Sequence, residues 1–467
     1  MTTALTAPLE AAFDSLGLSE ASLRVVRELG FSQMTPIQAR SLPVLLRGED
    51  LVGQSATGSG KTVAFTLPML ERLDLDAREL QALVLCPTRE LATQVAAAIR
   101  KLGRHRAGLR VLLLAGGMPS GPQRKALLEG VHIVVGTPGR VQDHVDRGLE
   151  VAGVRTVVLD EADRMLDMGF GPAVEKILRV LPRERQTLFF SATFPPSIAT
   201  MSRTWQRTPT HVTVAEEAGS KPDIQQIAHM VAVADRDSAL VAVLRQHAPA
   251  SVLVFCNFKD SVRTAVKSLE RAGFQAGELH GDLEQRDRDR VMAKFRNGSL
   301  TLLVATDVAA RGLDIAGLEA VINYEFPTTP DAYVHRIGRT GRAGAPGLAI
   351  SLVAPRDTER LQACEAACGA PIERLPLPVP PKAAVAAPAV AVDTLFIGGG
   401  RKDKLRPSDI LGALTGEAGL QAADIGRIEI GDRFTYVAVT HQVLAKMLAI
   451  LPGLRIKGRT FRLERVA

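Results

Sequence analysis

What most limits the fold of this 467-residue chain is a recurring unit: a short unbroken apolar run, a polar or glycine cluster, then a stretch with helical periodicity. The runs Leu83-Val84-Leu85-Cys86, Val111-Leu112-Leu113-Leu114, Ile133-Val134-Val135, Val157-Val158-Leu159 and Leu188-Phe189-Phe190 show no apolar/polar alternation. A strand with one wet face alternates, so these strands are expected to be buried on both faces, and helices between them make the sheet parallel. The clusters after them, Pro87-Thr88-Arg89-Glu90, Ala115-Gly116-Gly117, Gly136-Thr137-Pro138-Gly139-Arg140, Asp160-Glu161-Ala162-Asp163 and Ser191-Ala192-Thr193, then fall at strand C-termini. That is the edge where an open parallel sheet binds ligands. From about 221 to 368 the unit recurs, with strands at Val252-Leu253-Val254-Phe255, Leu302-Leu303-Val304-Ala305, Ala320-Val321-Ile322 and Ala349–Val353, and helices near 260–272, 284–297 and 331–338. The expected class is α/β, with one parallel-sheet domain over 1–210 and a second over 221–368.

One cluster carries specific chemistry. Ser55-Ala56-Thr57-Gly58-Ser59-Gly60-Lys61-Thr62 lies between the apolar run Asp50-Leu51-Val52-Gly53 and a helical segment beginning at Thr62. Gly58 and Gly60 can take backbone angles closed to other residues, which lets successive N–H groups converge on one anion at the positive end of a helix. Lys61 would reach the β- and γ-phosphates, and the Thr62 hydroxyl would meet Mg²⁺. Only Ser55, where the strict phosphate-loop pattern has Gly, departs from it. Asp160 ends a buried strand and can hold Mg²⁺ beside Thr62, while Glu161 can polarise a water for in-line attack on a γ-phosphate. An acidic quartet alone is usually a solvated turn; with the phosphate loop it argues for nucleotide hydrolysis. The second domain has no phosphate loop of its own.

Formal charge is +7, and residues 393–467 hold 12 Lys and Arg against 8 Asp and Glu, so +4 of it sits there. A basic C-terminal segment favours a polyanionic partner. Cys86 and Cys256 lie in apolar strands and read as small buried hydrophobes, and Cys364-x-x-x-Cys368 lacks the second ligand pair of a structural zinc site. Met1–Phe13 has no secretory pattern and no run approaches the ~20 apolar residues of a membrane span, so a cytoplasmic protein with no membrane partner is expected. The Pro-, Ala- and Val-rich stretch 371–392 reads as an extended linker able to keep the C-terminal segment mechanically independent. Residues 393–467 then give strand 394–398, helix 408–415, strands 426–430 and 434–439, helix 441–450 and strand 460–466, an α+β module in the order of an RNA-recognition fold. Leu395-Phe396-Ile397-Gly398-Gly399 fits that fold's first signature; Asp432–Val439 keeps aromatics at Phe434 and Tyr436 but lacks the basic-glycine start and the last aromatic.

With these motifs in order from about 13 to 355, the chain resembles the DEAD-box RNA helicases. The resemblance implies two RecA-like parallel-sheet domains in tandem that close on ATP, Mg²⁺ and single-stranded RNA. Phe13, Gly30-Phe31 and Thr35-Pro36-Ile37-Gln38 look like its adenine-sensing motif, with Phe31 on the base and Gln38 at its edge. The phosphate-loop match adds Ala56, Thr57, Gly58, Ser59, Gly60, Lys61 and Thr62 to the nucleotide site. Pro87-Thr88-Arg89, Gly116-Gly117 and Thr137-Pro138-Gly139-Arg140 match RNA-backbone contacts, and Ser191 and Thr193 belong to the motif that couples hydrolysis to strand separation. In the second domain, Val254–Asn257 and Gln285-x-x-Arg288 resemble RNA-facing motifs. The match of Ala305–Asp314 puts Thr306 on RNA and Asp314 on the nucleotide. The match of His335–Arg342 makes Arg339 and Arg342 arginine fingers that neutralise the transition state, a contribution of about 10³–10⁵ in rate.

The last segment resembles the C-terminal domain of the bacterial DbpA subfamily, through Asp393–Pro407, Asp409–Gly416 and Ile456-Lys457-Gly458-Arg459. That implies an RRM-like domain, with Arg401, Lys402, Lys404, Lys457 and Arg459 as candidate contacts to 23S ribosomal RNA during assembly of the large ribosomal subunit. Whether its sheet face stacks bases or its basic loops bind is left open by the incomplete second signature. The expected protein is a monomeric ATP-dependent RNA helicase. An ATP-gated RNA clamp that remodels without separating strands shares the same motifs, and a DNA helicase is disfavoured by the RNA-type tail.

Overall fold

The computed structural model describes residues 12–55, 58–214, 223–310, 317–341, 345–378, 391–447 and 454–466. In the first of its two compact units, strands β1 (Leu51–Gln54), β2 (Ala82–Leu85), β3 (Val111–Leu114), β4 (Ile133–Gly136), β5 (Thr156–Asp160), β6 (Gln186–Ser191) and β7 (Thr210–Thr213) form one sheet in the order β3-β4-β2-β5-β6-β1-β7. Every pairing in it is parallel. The unbroken apolar runs follow from the pleat. Val84 and Val158 enter a core with Ile37, Phe65 and Ile99, while their neighbours Leu83, Leu85, Val157 and Leu159 enter the opposite core with Val174, Ile177 and Ile198. Each such buried side chain contributes about 1.5–3 kcal/mol, and a polar residue at either parity would forfeit it.

The second unit repeats the layout with β8 (Ile224–Met230), β9 (Val252–Cys256), β10 (Ala276–Leu279), β11 (Leu302–Thr306), β12 (Ala320–Asn323), β13 (Gly347–Val353) and β14 (Glu373–Arg374), in the order β10-β11-β9-β12-β13-β8-β14. Strands β7, β8, β10 and β14 were not among the expected runs. β7, β10 and β14 are short and lie at sheet edges, and β8 carries Gln225, Gln226 and His229, so none has the apolar continuity of a central strand. The stretch expected as a linker begins as part of this sheet. Ile372 is buried, Glu373–Arg374 pair with β8, and the Leu375 N–H donates to the Ala228 carbonyl. Residues 379–390 of it lie outside the described residues.

The same unit contains the C-terminal α+β module. Strands β15 (Val392–Ile397), β16 (Ile425–Ile430), β17 (Thr435–Thr440) and β20 (Leu463–Arg465) make an antiparallel sheet in the order β16-β17-β15-β20. Helices Pro407–Gly416 and His441–Met447 cover the face that carries Leu395, Ile397, Val437 and Val439. The single strand expected over 460–466 is divided. Lys457 and Gly458 take left-handed angles (φ 55° and 73°) and turn a small hairpin of β18 (Arg455–Ile456) and β19 (Arg459–Thr460), leaving only β20 for the main sheet.

Candidate functional site

The sheet order of the first unit brings three motifs to one edge. β6 lies between β5, which ends at Asp160, and β1, which leads into the phosphate loop; Gln54 is in register with Ser191, and Asp160 with Phe190. Beyond β1, Gly58 and Gly60 have φ of 83° and 94°. At Gly60 glycine is required twice over, because a Cβ there would lie 2.4 Å from Gln38 Nε2. Helix Lys61–Glu71 then starts with its unsatisfied N–H groups aimed into the loop. Lys61 Nζ donates to the Ser55 carbonyl at 2.7 Å, and the Ser55 and Ser59 hydroxyls are 2.8 Å apart. Ser55 thus ties the loop across its mouth, a role that its departure from the glycine pattern concealed. Ala56 and Thr57, expected in the nucleotide site, lie outside the described residues.

Glu161 follows β5 in a left-handed conformation (φ 54°), an uncommon one for a residue with a Cβ. It is held there by Arg164, whose Nη1 donates to Glu161 Oε2 at 2.8 Å in a buried pair. Burial, then the charge of Glu161, pushes the Asp160 carboxyl up to about 7, whereas burial holds Lys61 below the usual lysine range. For Asp163, burial raises the carboxyl but is outweighed by donors. Its Oδ2 accepts from the Thr193 N–H at 2.9 Å and hydroxyl at 2.8 Å, and the net effect holds it below the usual range. Its N–H also donates to Ser191 Oγ. Ser191 and Thr193, expected to couple hydrolysis to strand separation, are therefore bonded to the acidic quartet itself. Asp163 and Arg164 were not assigned from sequence; their spacing on the first helical turn after Glu161 was the available signal.

The adenine-type motif braces the phosphate loop from outside. Thr35 stands at the N-cap position of helix Pro36–Leu46, Gln38 Oε1 accepts from the Thr35 N–H at 2.9 Å, and Gln38 Nε2 donates to the Gly60 carbonyl at 3.1 Å. One N–H and one lone pair of that amide remain for a base edge. A cleft of about 320 Å³ is lined by Phe13, Val26, Gly30 and Phe31 among others, with Phe31 exposed and Phe13 buried. The RNA-type motifs gather at the far end of the same sheet edge, where β3, β4 and β2 are neighbours. Arg89 Nη1 reaches the Gly116 carbonyl at 3.4 Å, and Arg140 binds the carbonyls of Ala115 (3.2 Å) and Met118 (2.7 Å). Thr88 caps helix Arg89–Leu102, and Thr137 and Pro138 open helix Pro138–Val145. Two helix N-termini beside exposed Gly116 and Gly117 make a surface suited to phosphate oxygens.

In the second unit the organising side chain is Arg336, matched in its motif but given no role from sequence. It is almost wholly buried and binds Asp307 through both Nε (2.7 Å) and Nη2 (2.6 Å), Asn257 Oδ1 at 2.6 Å, Asn323 Oδ1 at 3.1 Å and the Glu325 carbonyl at 2.7 Å. Its guanidinium lies over the Phe255 ring. Arg336 thereby joins the ends of β9 and β12 and the turn after β11 to helix Pro330–Ile337, at whose end Arg339 follows. Thr306 Oγ1 meets the Ala309 N–H at 3.4 Å. Asp314, expected on the nucleotide, and Arg342, expected as an arginine finger, lie outside the described residues.

In the C-terminal module, Arg401, Lys402, Lys404 and Arg459 are exposed. Lys457 is exposed as well, and its Nζ binds the Lys404 carbonyl at 2.9 Å and Asp409 at 2.8 Å, so it also fastens two loops together. No helix among the described residues is long and apolar enough to cross a membrane.

Residues 35–201 match the DEAD/DEAH box helicase family, 235–344 the helicase conserved C-terminal domain, and 394–465 the DbpA RNA binding domain. The chain is 46% identical over 456 residues, 97% of its length and 99% of the other's, to ATP-dependent RNA helicase DbpA of Escherichia coli (strain K12). It is 43% identical over 367 residues, 78% of its length and 70% of the other's, to DEAD-box ATP-dependent RNA helicase CshA of Bacillus cereus. Among solved structures it resembles S. cerevisiae Dbp5 bound to RNA and ADP BeF3, with TM-score 0.70 and 32% identity over 78% of this chain and 96% of that one.

Proposed function

The chain belongs to the DEAD-box ATP-dependent RNA helicases and ends in an RNA-binding domain of the DbpA type; from that premise we propose how its residues divide the work and which RNA it serves. Lys61, Gly58, Ser59, Gly60 and Thr62 hold the ATP phosphates, Phe31 and Gln38 the base, and Glu161 takes the proton of the attacking water. The placing of the phosphate loop after β1 and of the Asp160–Glu161 dyad at the end of β5, with only β6 between them, Lys61 within electrostatic reach of both carboxylates and Glu161 fixed by Arg164, is the observation that carries this reading. Asp160 and the Thr62 hydroxyl are hard oxygen donors, and a buried carboxyl raised to about 7 is one whose anion calls for a cation, so the set fits Mg²⁺. That ion would supply charge neutralisation at the β- and γ-phosphates.

Arg339 and Arg342, three positions apart in sequence, neutralise the transition-state charge as arginine fingers, and Asp314 contacts the nucleotide. Thr88, Arg89, Gly116, Gly117, Thr137, Pro138, Gly139 and Arg140 with Thr306 hold the RNA backbone. The exposed Arg401, Lys402, Lys404, Lys457 and Arg459 supply contacts for structured RNA, the 23S ribosomal RNA of a maturing large subunit, in a cytoplasmic monomer. The relative Dbp5, solved with RNA and ADP BeF3, supports both ligands on this fold. The test is displacement of a short duplex joined to a ribosomal RNA hairpin. ATP should release the strand with the wild-type protein and not with Glu161→Gln. Tight ATP-dependent binding without release would favour the clamp.

A further inference from the structure

Two helices of the first unit end in glutamate, a charge that the negative end of a helix dipole disfavours, and both glutamates are met by one short basic loop. Glu71 closes the phosphate-loop helix Lys61–Glu71. Glu28 closes helix Glu20–Glu28, after which the chain turns through Gly30 (φ 74°) into Phe31. The loop is Arg104-His105-Arg106, directly after Gly103 at the end of helix Arg89–Leu102.

Arg106 Nη2 binds Glu71 Oε1 at 2.8 Å and lies 3.1 Å from the hydroxyl oxygens of both Ser19 and Ser22. Those hydroxyls donate to the same carboxylate oxygen, at 2.9 and 2.6 Å. Ser19 stands at the N-cap position of helix Glu20–Glu28, where a serine ordinarily bonds its own helix; here its side chain makes no capping bond and turns to Glu71 instead. At the other end of the helix, Glu28 accepts from Arg104 and from Arg24 (3.0 Å), and His105 Nε2 lies 2.8 Å from Glu28 Oε2. Helix Glu20–Glu28 is therefore fastened at both ends to one loop, and through Glu71 to the phosphate-loop helix. What it carries is the base side of the site. Its Leu23, Val26 and Arg27 line a cleft together with Phe13 and Phe31, and the Phe31 N–H donates back to the Val26 carbonyl at 3.1 Å.

We propose that Arg104, His105 and Arg106 are positioning residues for the adenine base: by bracing helix Glu20–Glu28 against Glu71 they hold Phe31 at a set distance from the phosphate loop. The proposal deepens the reading of Phe31 as the base contact and rests on it. Base and triphosphate are two ends of one ligand, so the brace acts on effective concentration. With the phosphates seated, Phe31 already stands where the base arrives. The phosphate loop has its own brace in Gln38, which donates to the Gly60 carbonyl, so its grip on the phosphates is independent of the basic loop.

The test compares ATP with tripolyphosphate, which has the phosphates and no base, in the full-length protein. Arg106→Met keeps the stem and removes the charge. It should raise the half-saturating ATP concentration of RNA-stimulated turnover about tenfold and leave turnover at saturating ATP unchanged, as loss of uniform binding does. Inhibition by tripolyphosphate should stay as in wild type. Arg106→Lys, which still brings one charge to Glu71, should recover most of the loss, and Arg106→Met combined with Glu71→Gln should be no worse than Arg106→Met alone. Arg104→Met repeats the measurement at a partly exposed pair (38% and 36%) and carries the test if Arg106→Met does not fold.

An unmoved ATP requirement in a folded brace variant, ATP and tripolyphosphate weakened together, or additive losses in the double variant would each overturn the proposal. Phe31→Ala tests the underlying reading alone. If it leaves the ATP requirement unmoved, the base reading itself fails; if it raises that requirement and the folded brace variants do not, only the brace falls.

Discussion

Glu161 stands in a conformation that costs an L-residue about 1–3 kcal/mol, and the buried Arg164 pair and the start of helix Ala162–Asp167 hold it there. Such strain is retained where a side chain must point at chemistry. Glu161→Gln keeps the volume but cannot accept a proton. ATP binding should persist while turnover falls by well over tenfold, and single-turnover hydrolysis within about tenfold of wild type, a barrier change of only ~1.4 kcal/mol, would remove Glu161 from the role of base. Gln38 tests the other end of the nucleotide. Its amide joins the helix cap to the Gly60 carbonyl, so Gln38→Ala should both weaken ATP binding and narrow the preference for ATP over GTP. Competition binding that showed the two nucleotides discriminated as sharply as before would dissociate Gln38 from adenine.

At the scale of elements, the central strands were legible because burial on both faces leaves an unmistakable unbroken apolar run, and the strand ends carried the motifs. Edge strands were not: β10 needs apolar character at alternate positions only, and β14 is two charged residues that join the sheet through their backbone. Residues with phosphate or acid chemistry stand out by type and spacing, and the sheet order brings them to one edge. Arg336, Arg164 and Ser55 do not, because their importance lies in which carbonyls and carboxylates the tertiary fold brings to them. Arg336 is the sharpest case. Arg336→Met leaves Asp307 without its buried partner and should cost about 3–5 kcal/mol of stability, read as an earlier urea midpoint for the second α/β domain; a loss below about 1 kcal/mol would show that the neighbours satisfy Asp307 unaided.

Across the whole molecule, the sequence reading expected a tail on a free linker, and the structure instead seats the module on helix Gln285–Arg296. The reason was invisible in the chain's order: the aromatic residues that suggested base stacking are the same ones that suit a protein interface, and only the complementary Arg290, Arg296, Glu429 and Glu464 decide between them. On the proposed reading chemistry and targeting are separable, because the residues assigned to phosphate, acid and arginine-finger roles all precede position 393. The most direct measurement is therefore RNA-stimulated ATPase of the full chain and of a form ending at 392, titrated with a 23S ribosomal RNA hairpin and with unstructured RNA. The truncated form should reach similar turnover at saturating unstructured RNA but need a far higher hairpin concentration for half-saturation. In the full chain the advantage of the hairpin should shrink steeply with salt, since 393–467 hold +4 of the +7 net charge. Equal half-saturating hairpin concentrations for the two forms would contradict the account.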